Sequence, residues 1–570
     1  MISYKEQIAQ ILSAQIEGLE KEEIVNMIET PADSKMGDYA FPCFKLAKIL
    51  RKAPPMIAKN IAEAVSDNDI FDKGENVTAY VNMFISKEAF AREVVTEAVA
   101  KGDDYGRSDI GQGRKVIVEY SSPNIAKPFH IGHIRSTVIG NSIYKIYDFL
   151  GYDTMRINHL GDYGTQFGKM ICAYRRWGNK EDVINAPIQT LLSYYTKFHE
   201  EAEKDPSLED EARAIFTKLE HGEPEEVELW QWFREESLKE FNRVYDMLGI
   251  TFDSYNGESF YSDKMPRFVK ELEDKGILEE DDGAQIVRLD DYNLPPALIT
   301  KSDGSTLYIT RDIAAAVYRK ETYDFYKNIY VVASQQNLHF QQWIQIIEML
   351  GYEWARDCVH VPFGLVSMED GTMSTRQGRV IFLEDVLNRA VEQTKQIIID
   401  KNVNTENIDE TAKEVGIGAV VFNELSNYRI KDYVFSWDKV LNFEGETGPY
   451  VQYTHARACS IMRKAGDDIV TKAASGFDPK YITGDAAHEL IKLIYTLPDV
   501  ILEAGEKYEP SIVTRHIVDI AQAFNKFYHD EHILVDNEDE KIAKVALVMA
   551  AKAAIKNGLG LLGMKAPEKM

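Results

Sequence analysis

The sequence predicts a multidomain α/β protein. A doubly wound α/β domain occupies the middle, a small α/β domain precedes it and an all-α bundle follows. Three observations carry this prediction. A length of 570 residues corresponds to about three or four domains at ~150 residues each. A buried strand, a Gly-containing loop and a long helix follow one another over 115–152, the opening unit of a doubly wound sheet. Strand signals fade from about residue 385, and helical periodicity takes over.

Composition narrows the class. Hydrophobic residues at 45% and charged residues at 28% describe a folded globular protein. No apolar run is long enough for a membrane span. The start, MISYKEQIAQILSAQI, mixes acids into its apolar pattern and reads as a helix, not a signal peptide, so the cytoplasm is the expected compartment. Cys43, Cys172, Cys358 and Cys459 lie far apart with no CxxC pair, so neither a thiolate metal site nor a disulfide framework is expected. The net charge of −27 argues against a polyanionic partner for the chain as a whole. Residues 450–570, with 15 basic and 17 acidic side chains, are nearly balanced. A basic face there costs little.

Four divisions follow: 1–108, 109–385, 386–449 and 450–570. In the first, SYKEQIAQILSAQI and MIAKNIAEAV read as helices, and Pro54 and Pro55 open the second where proline is tolerated. VTAYVNMFIS (77–86) reads as one strand, with Tyr80 and Asn82 on the same side. GRSDIGQGR (106–114) is a polar, Gly-rich linker. KVIVEYSS (115–122) is a buried strand, SPNIAKPFHIGH a loop, and IRSTVIGNSIYKIYDFLGY a helix. Further strands are expected at YDTMRIN, AQIVRL, LYIT and NIYVVAS, separated by charged helices that include an acidic stretch at 200–240. EDVLNRAVEQTKQIIID, ALIKLIYTLPDVILEAGEKY and IVDIAQAFNKFYH carry apolar residues at helical spacing and end the chain in a bundle.

The chemistry concentrates in VEYSSPNIAKPFHIGHIRS (118–136). His130 and His133 flank Gly132 at a helix start, where free N–H groups and the positive dipole end suit an anion. Gly132 lets a flat ligand approach the backbone. The imidazoles can donate to phosphoryl oxygens, and Lys127 adds a cation nearby. Taken alone, the spacing also fits a metal pair or two surface histidines, although no third ligand stands at an evident spacing.

HIGH at 130–133 resembles the nucleotide-binding signature of class I aminoacyl-tRNA synthetases and their nucleotidyltransferase relatives. SSPNIAKPFHIGHIRSTVIGNS is similar to the arginyl-tRNA synthetase form of it. The resemblance continues in INHLGDYGTQFG (157–168), LYITRDIAAA (307–316), VASQQNLHF (332–340), TGPYVQYTHAR (447–457) and the terminal LGMKAPEKM. It implies a Rossmann-like catalytic domain, an N-terminal domain that contacts the tRNA elbow, and an anticodon-binding bundle. GTMSTRQG (371–378) stands where the family's Lys-Met-Ser-Lys loop is expected. Met373 and Ser374 match, Thr372 replaces the first lysine, and Arg376 supplies a cation. Lys127 is a candidate for the missing one.

The resemblance implies that His130, Gly132, His133, Lys127, Met373, Ser374 and Arg376 handle ATP. It assigns the arginine side chain to Tyr308 and Asp312, which share a face on a helical turn. Fork-shaped carboxylate contacts and a flat aromatic suit a guanidinium. Ser122, Pro123, Asn124, His133 and Gln336 would meet the α-amino and carboxylate end, with Glu119 and Glu258 as further acids. Tyr80 and Asn82, with Tyr450, Tyr453, His455, Arg457, Tyr528 and Met570, are candidates for tRNA, since aromatics stack on unpaired bases. Mg²⁺ would travel with ATP, no structural metal is expected, and the family is usually monomeric. In this family the first step generally awaits bound tRNA. Two other readings remain open: a nucleotidyltransferase for another small molecule, and an RNA-binding paralogue without catalysis.

Overall fold

The computed structural model describes residues 4–14, 16, 18–31, 33, 36–301, 308–368, 381–400, 407–440, 442 and 445–570, apart from the side chains at 368, 438 and 439. The chain forms two compact units, each drawn from separate stretches.

The larger unit holds residues 106–453, 498–518 and 558–570. Its centre is a four-stranded parallel sheet in the order Cys358–Phe363, Lys327–Ala333, Lys115–Glu119, Asp153–Ile157. Val116, Ile117 and Val118 are buried because both faces of such a sheet are covered. The chain leaves Lys115–Glu119 for one neighbour and later returns to the other side. This reversal opens a crevice at the carboxyl ends of the strands, where ligands bind in folds of this kind. The helix Ile134–Phe149 packs so closely on the sheet that a Cβ on Gly140 would lie 2.2 Å from Tyr120 Cβ.

Two expectations change, and one strand comes unannounced. LYIT is not a strand: Tyr308 begins a helix that runs to Tyr323. Ile309, Ile313, Ala316 and Val317 are buried along its inner face, and the alanine run favours helix. AQIV does form a strand, Ala284–Val287, but in a separate antiparallel sheet with Leu278–Asp281 and Ala297–Thr300. Cys358–Phe363 completes the main sheet although its sequence, CVHVPF, holds His and Pro. The acidic region is helical as expected, in Pro187–Ala202, Ser207–Glu220 and Pro224–Leu248. Beyond 385 a short strand interrupts the helices: Tyr433–Phe435 pairs in parallel with Val366–Met368.

The smaller unit joins residues 1–105 to 454–497 and 519–557. Its antiparallel sheet runs Tyr39–Pro42, Tyr80–Ile85, Phe71–Val77, beside the helix Pro54–Ser66. The expected single strand at 77–86 is therefore the second half of a hairpin. Val77 ends the preceding strand, and Thr78 turns with φ of 54°. Division by chain order separates parts that pack together here. Tyr4, Phe90 and Tyr495 meet edge to face, and Asn557 Nδ2 donates to the Gly102 and Tyr105 carbonyls at 2.9 Å. Among the described residues, no helix is long and apolar enough to cross a membrane.

Candidate active site

The crevice is built first by a strained loop. Ser121, Ser122 and Ala126, none of them glycine, hold φ of 70°, 45° and 58°. Such conformations cost on the order of 1 kcal/mol or more each and persist only where neighbours over-determine them. Ser121 N donates to Ser136 Oγ at 2.9 Å, and its hydroxyl meets Tyr245 OH at 2.7 Å and Thr137 Oγ1 at 2.8 Å. Ala126 N donates to Ser237 Oγ at 3.0 Å. Asn124 and Gly161 bridge in parallel: Gly161 N donates to Pro123 O at 3.1 Å and Ile125 N to Gly161 O at 3.2 Å. Asn124 is left exposed, with Pro123 buried and Ser122 half-buried beside it.

The helix start comes next. Ile131–His133 form a 3₁₀ turn that runs into Ile134–Phe149. Gly132 N donates to His130 Nδ1, and His130 N to His133 Nδ1, both at 3.1 Å. A backbone N–H needs a lone pair, so each ring carries its proton on Nε2. Burial lowers the His130 pKa. Burial, then the His130 ring and the Lys127 charge, push His133 down to about 3. Both rings are therefore neutral Nε2–H donors at neutral pH. They stand 4.0 Å apart, and Phe129 stacks on His133 at 5.1 Å.

Acidic groups line the neighbouring part of the crevice. Glu258 N donates to Leu160 O at 2.9 Å, which fixes it beside the Asn124–Gly161 bridge. Burial lifts its carboxyl to about 7, with Arg311 opposing the rise and Asp312 and Asp162 adding to it. Arg311 Nη1 lies 3.3 Å from Glu258, and its guanidinium sits over the Tyr163 and Tyr308 rings. Tyr308 and Asp312 occupy the first turns of one helix, as their spacing predicts, and Tyr308 is exposed. Asp312 Oδ2 meets His339 Nε2 at 2.5 Å. Gln336 is exposed in the turn that ends Lys327–Ala333.

Glu119 is paired within the core. Its carboxylate is paired internally with Arg319 at 2.6 Å, and Arg319 is fully buried. This acid neutralises a core arginine. Met373, Ser374 and Arg376, with Thr372, lie outside the described residues. Sequence reasoning missed Asp162, Arg311 and His339. Each sits in a motif already singled out, yet only the fold reveals its partner. Asp162 is buried and accepts from Ser259 N at 2.8 Å and Arg234 Nε at 3.0 Å, tying two walls of the crevice together.

The RNA-facing candidates divide. Asn82 is only 3% exposed, so its side chain offers almost no surface here. Tyr80 is half-buried, in edge contact with the exposed Phe44 at 5.6 Å. Tyr453 and Tyr528 are exposed, and Arg457 lies over the Tyr528 ring. His455 is buried, and Tyr450 and Met570 are half-buried. No cluster of three or more metal-ligating side chains occurs among the described residues.

A parallel sheet whose crevice opens onto a histidine-capped helix start defines the class, that of the class I tRNA synthetases. The family model "tRNA synthetases class I (R), catalytic domain" matches residues 94–437, preceded by "Arginyl tRNA synthetase N terminal domain" at 3–85 and followed by "DALR anticodon binding domain" at 451–570. Arginine–tRNA ligases of Halothermothrix orenii and Clostridioides difficile are each 59% identical over 570 residues, the whole of both chains. The Plasmodium falciparum arginyl-tRNA synthetase structure, 25% identical, aligns with a TM-score of 0.76 over 99% of this chain and 98% of its own. The Thermus thermophilus arginyl-tRNA synthetase structure shares the fold, with a TM-score of 0.78 at 24% identity over 99% of each chain. The chain belongs to the arginyl-tRNA synthetase family.

Proposed function

We propose that this chain is an arginine–tRNA ligase that activates L-arginine with ATP and transfers it to the 3′ end of tRNA(Arg). The observation that carries the reading is one crevice with two faces. Neutral imidazole donors line one, and a carboxylate–aromatic cluster of Glu258, Asp312 and Tyr308 lines the other. The first face suits phosphate oxygens and the second a guanidinium.

In the first step the arginine carboxylate attacks the α-phosphorus of ATP, and the bond to pyrophosphate breaks. The Nε2–H groups of His130 and His133 donate to the oxygens that gain charge, with Lys127 beside them. Mg²⁺ accompanies the nucleotide and needs no dedicated protein cage. Asn124 and Gln336 hold the α-amino and carboxylate end, and Asp312 and Tyr308 the side chain. In the second step a hydroxyl of the terminal ribose attacks the arginyl carbonyl, and AMP leaves. Positioning and charge stabilisation suffice, so no covalent enzyme intermediate is needed.

The test is aminoacylation of tRNA with each amino acid in turn, alongside citrulline. Only arginine should charge. Citrulline lacks the charge that these carboxylates would pair with, so it should be rejected by roughly 10⁴. Asp312→Asn should lower kcat/KM for arginine by roughly 10²–10³, the loss of a charge-assisted contact. Charging of a different amino acid, or full activity in that variant, sinks the reading.

A further inference from the structure

One protein group already holds the Asp312 carboxylate. His339 Nε2 lies 2.5 Å from Asp312 Oδ2, and both side chains are half-buried. A carboxylate only accepts, so Nε2 carries the proton and donates it. The donor stands on firm ground. His339 lies in the first turn of the helix Asn337–Met349, directly after the 3₁₀ turn Ser334–Gln336. Its neighbour Phe340 is buried and stacks on His360 at 4.0 Å, and His360 Nε2 donates to Val332 O at 3.0 Å. Trp343, one turn further on, is fully buried. The imidazole is thus anchored to the strand Lys327–Ala333, whereas Asp312 belongs to the helix Tyr308–Tyr323. The hydrogen bond joins two elements that the chain keeps 27 positions apart.

We infer that His339 is a positioning residue for side-chain selection: its hydrogen bond fixes the plane of the Asp312 carboxylate and ties it to the turn that carries Gln336. The inference rests on the reading of the site given above, in which Asp312 meets the arginine side chain and Gln336 the α-amino and carboxylate end. The last torsion of an aspartate is broad, so an unsupported carboxylate turns at little cost. An ammonium is a point charge and tolerates that turn. A planar guanidinium does not, because two parallel N–H···O bonds form only when fork and carboxylate share a plane. Oδ2 retains a second lone pair after accepting from His339, so both oxygens stay usable. Holding the carboxylate therefore favours arginine over lysine without adding a contact to either.

The experiment compares wild type with His339→Leu, His339→Asn and His339→Gln by arginine-dependent ATP–pyrophosphate exchange in the presence of tRNA, with L-lysine as a competing inhibitor. In the Leu and Asn variants the KM for arginine should rise roughly tenfold while kcat stays within about threefold, the pattern of lost uniform binding. The inhibition constant of lysine should stay within about twofold, since a point charge needs no fork. Glutamine can place an N–H where the imidazole Nε2 stands, and asparagine is too short. His339→Gln should accordingly bring the arginine KM back to within about threefold of wild type. A parallel rise in the arginine KM and the lysine inhibition constant means that the whole wall has loosened, and the inference falls. A wild-type arginine KM in His339→Leu overturns it too, as does a Gln variant no better than Leu. If His339→Leu does not fold, the comparison of Asn with Gln, both polar, decides the matter. A wild-type chain with no arginine-dependent exchange overturns the functional reading itself, an outcome distinct from any of these.

Discussion

Glu258 carries a strongly shifted carboxyl. Its carboxyl is lifted to about 7 by burial, so it is mostly protonated at pH 6 and mostly ionised at pH 8. A guanidinium binds the ionised form. The KM for arginine should therefore fall roughly tenfold from pH 6 to pH 8, one pKa unit being about 1.4 kcal/mol. Glu258→Gln should flatten that profile at a raised KM, and a slope unchanged in the variant refutes the assignment. The stability effect has the opposite direction. A carboxyl whose folded pKa lies above its unfolded value near 4.3 stabilises the fold fully at lower pH, and that contribution is lost as pH rises through about 7. Wild type should thus lose urea resistance between pH 5 and pH 8 relative to Glu258→Gln. His133 acts the other way: held down to about 3, it stays neutral in the fold across this window, and its stabilising contribution grows as pH rises toward the unfolded value near 6.5, equally in wild type and Glu258→Gln.

At the scale of elements, the site depends on close approaches between segments far apart in the chain. Gly161 shows the tolerance. A Cβ there would lie 2.3 Å from Asn124 Oδ1 and 3.2 Å from Asn124 Cα, and because the Asn124 backbone is bridged to the same residue the carboxamide is the part that must give way. Gly161→Ala should displace the Asn124 carboxamide and raise the KM for arginine at least about tenfold, consistent with a loss of some 1–3 kcal/mol of hydrogen bonding. The KM for ATP should move much less, which separates a local displacement from general unfolding. How much of this was legible in sequence follows from range. KVIVE, DTMRI and NIYVV announce strands by β-branched runs, and HIGH announces a helix start because its chemistry is contiguous. Cys358–Phe363 was hidden by its His and Pro, and Tyr308–Tyr323 by an apolar run that satisfies both strand and helix. The Glu119–Arg319 and Asp312–His339 pairs were unreadable. Nothing local says that residues 200 and 27 positions apart will meet.

The molecule as a whole carries −27, yet the reaction needs a polyanion. Long-range attraction cannot be the main source of affinity for RNA. Local stacking and a few cations must contribute, as the Arg457–Tyr528 pair offers on an exposed ring. Few released counterions imply a shallow salt dependence. Doubling the salt from 0.1 to 0.2 M should raise the KM for tRNA by less than about tenfold, and a steeper fall would place many more phosphate contacts on the protein than its charge allows. The family relation adds a stricter expectation. Arginine-dependent pyrophosphate exchange should be barely detectable without tRNA and rise by roughly 10² or more when tRNA(Arg) is added, if bound RNA completes the geometry that positions the reactants. The tRNA must be one that cannot be charged, with its terminal ribose oxidised, so that the increase reports activation and not turnover through transfer. Equal exchange with and without that RNA means the crevice is complete in the free protein. The N-terminal and C-terminal helical parts would then serve substrate capture alone.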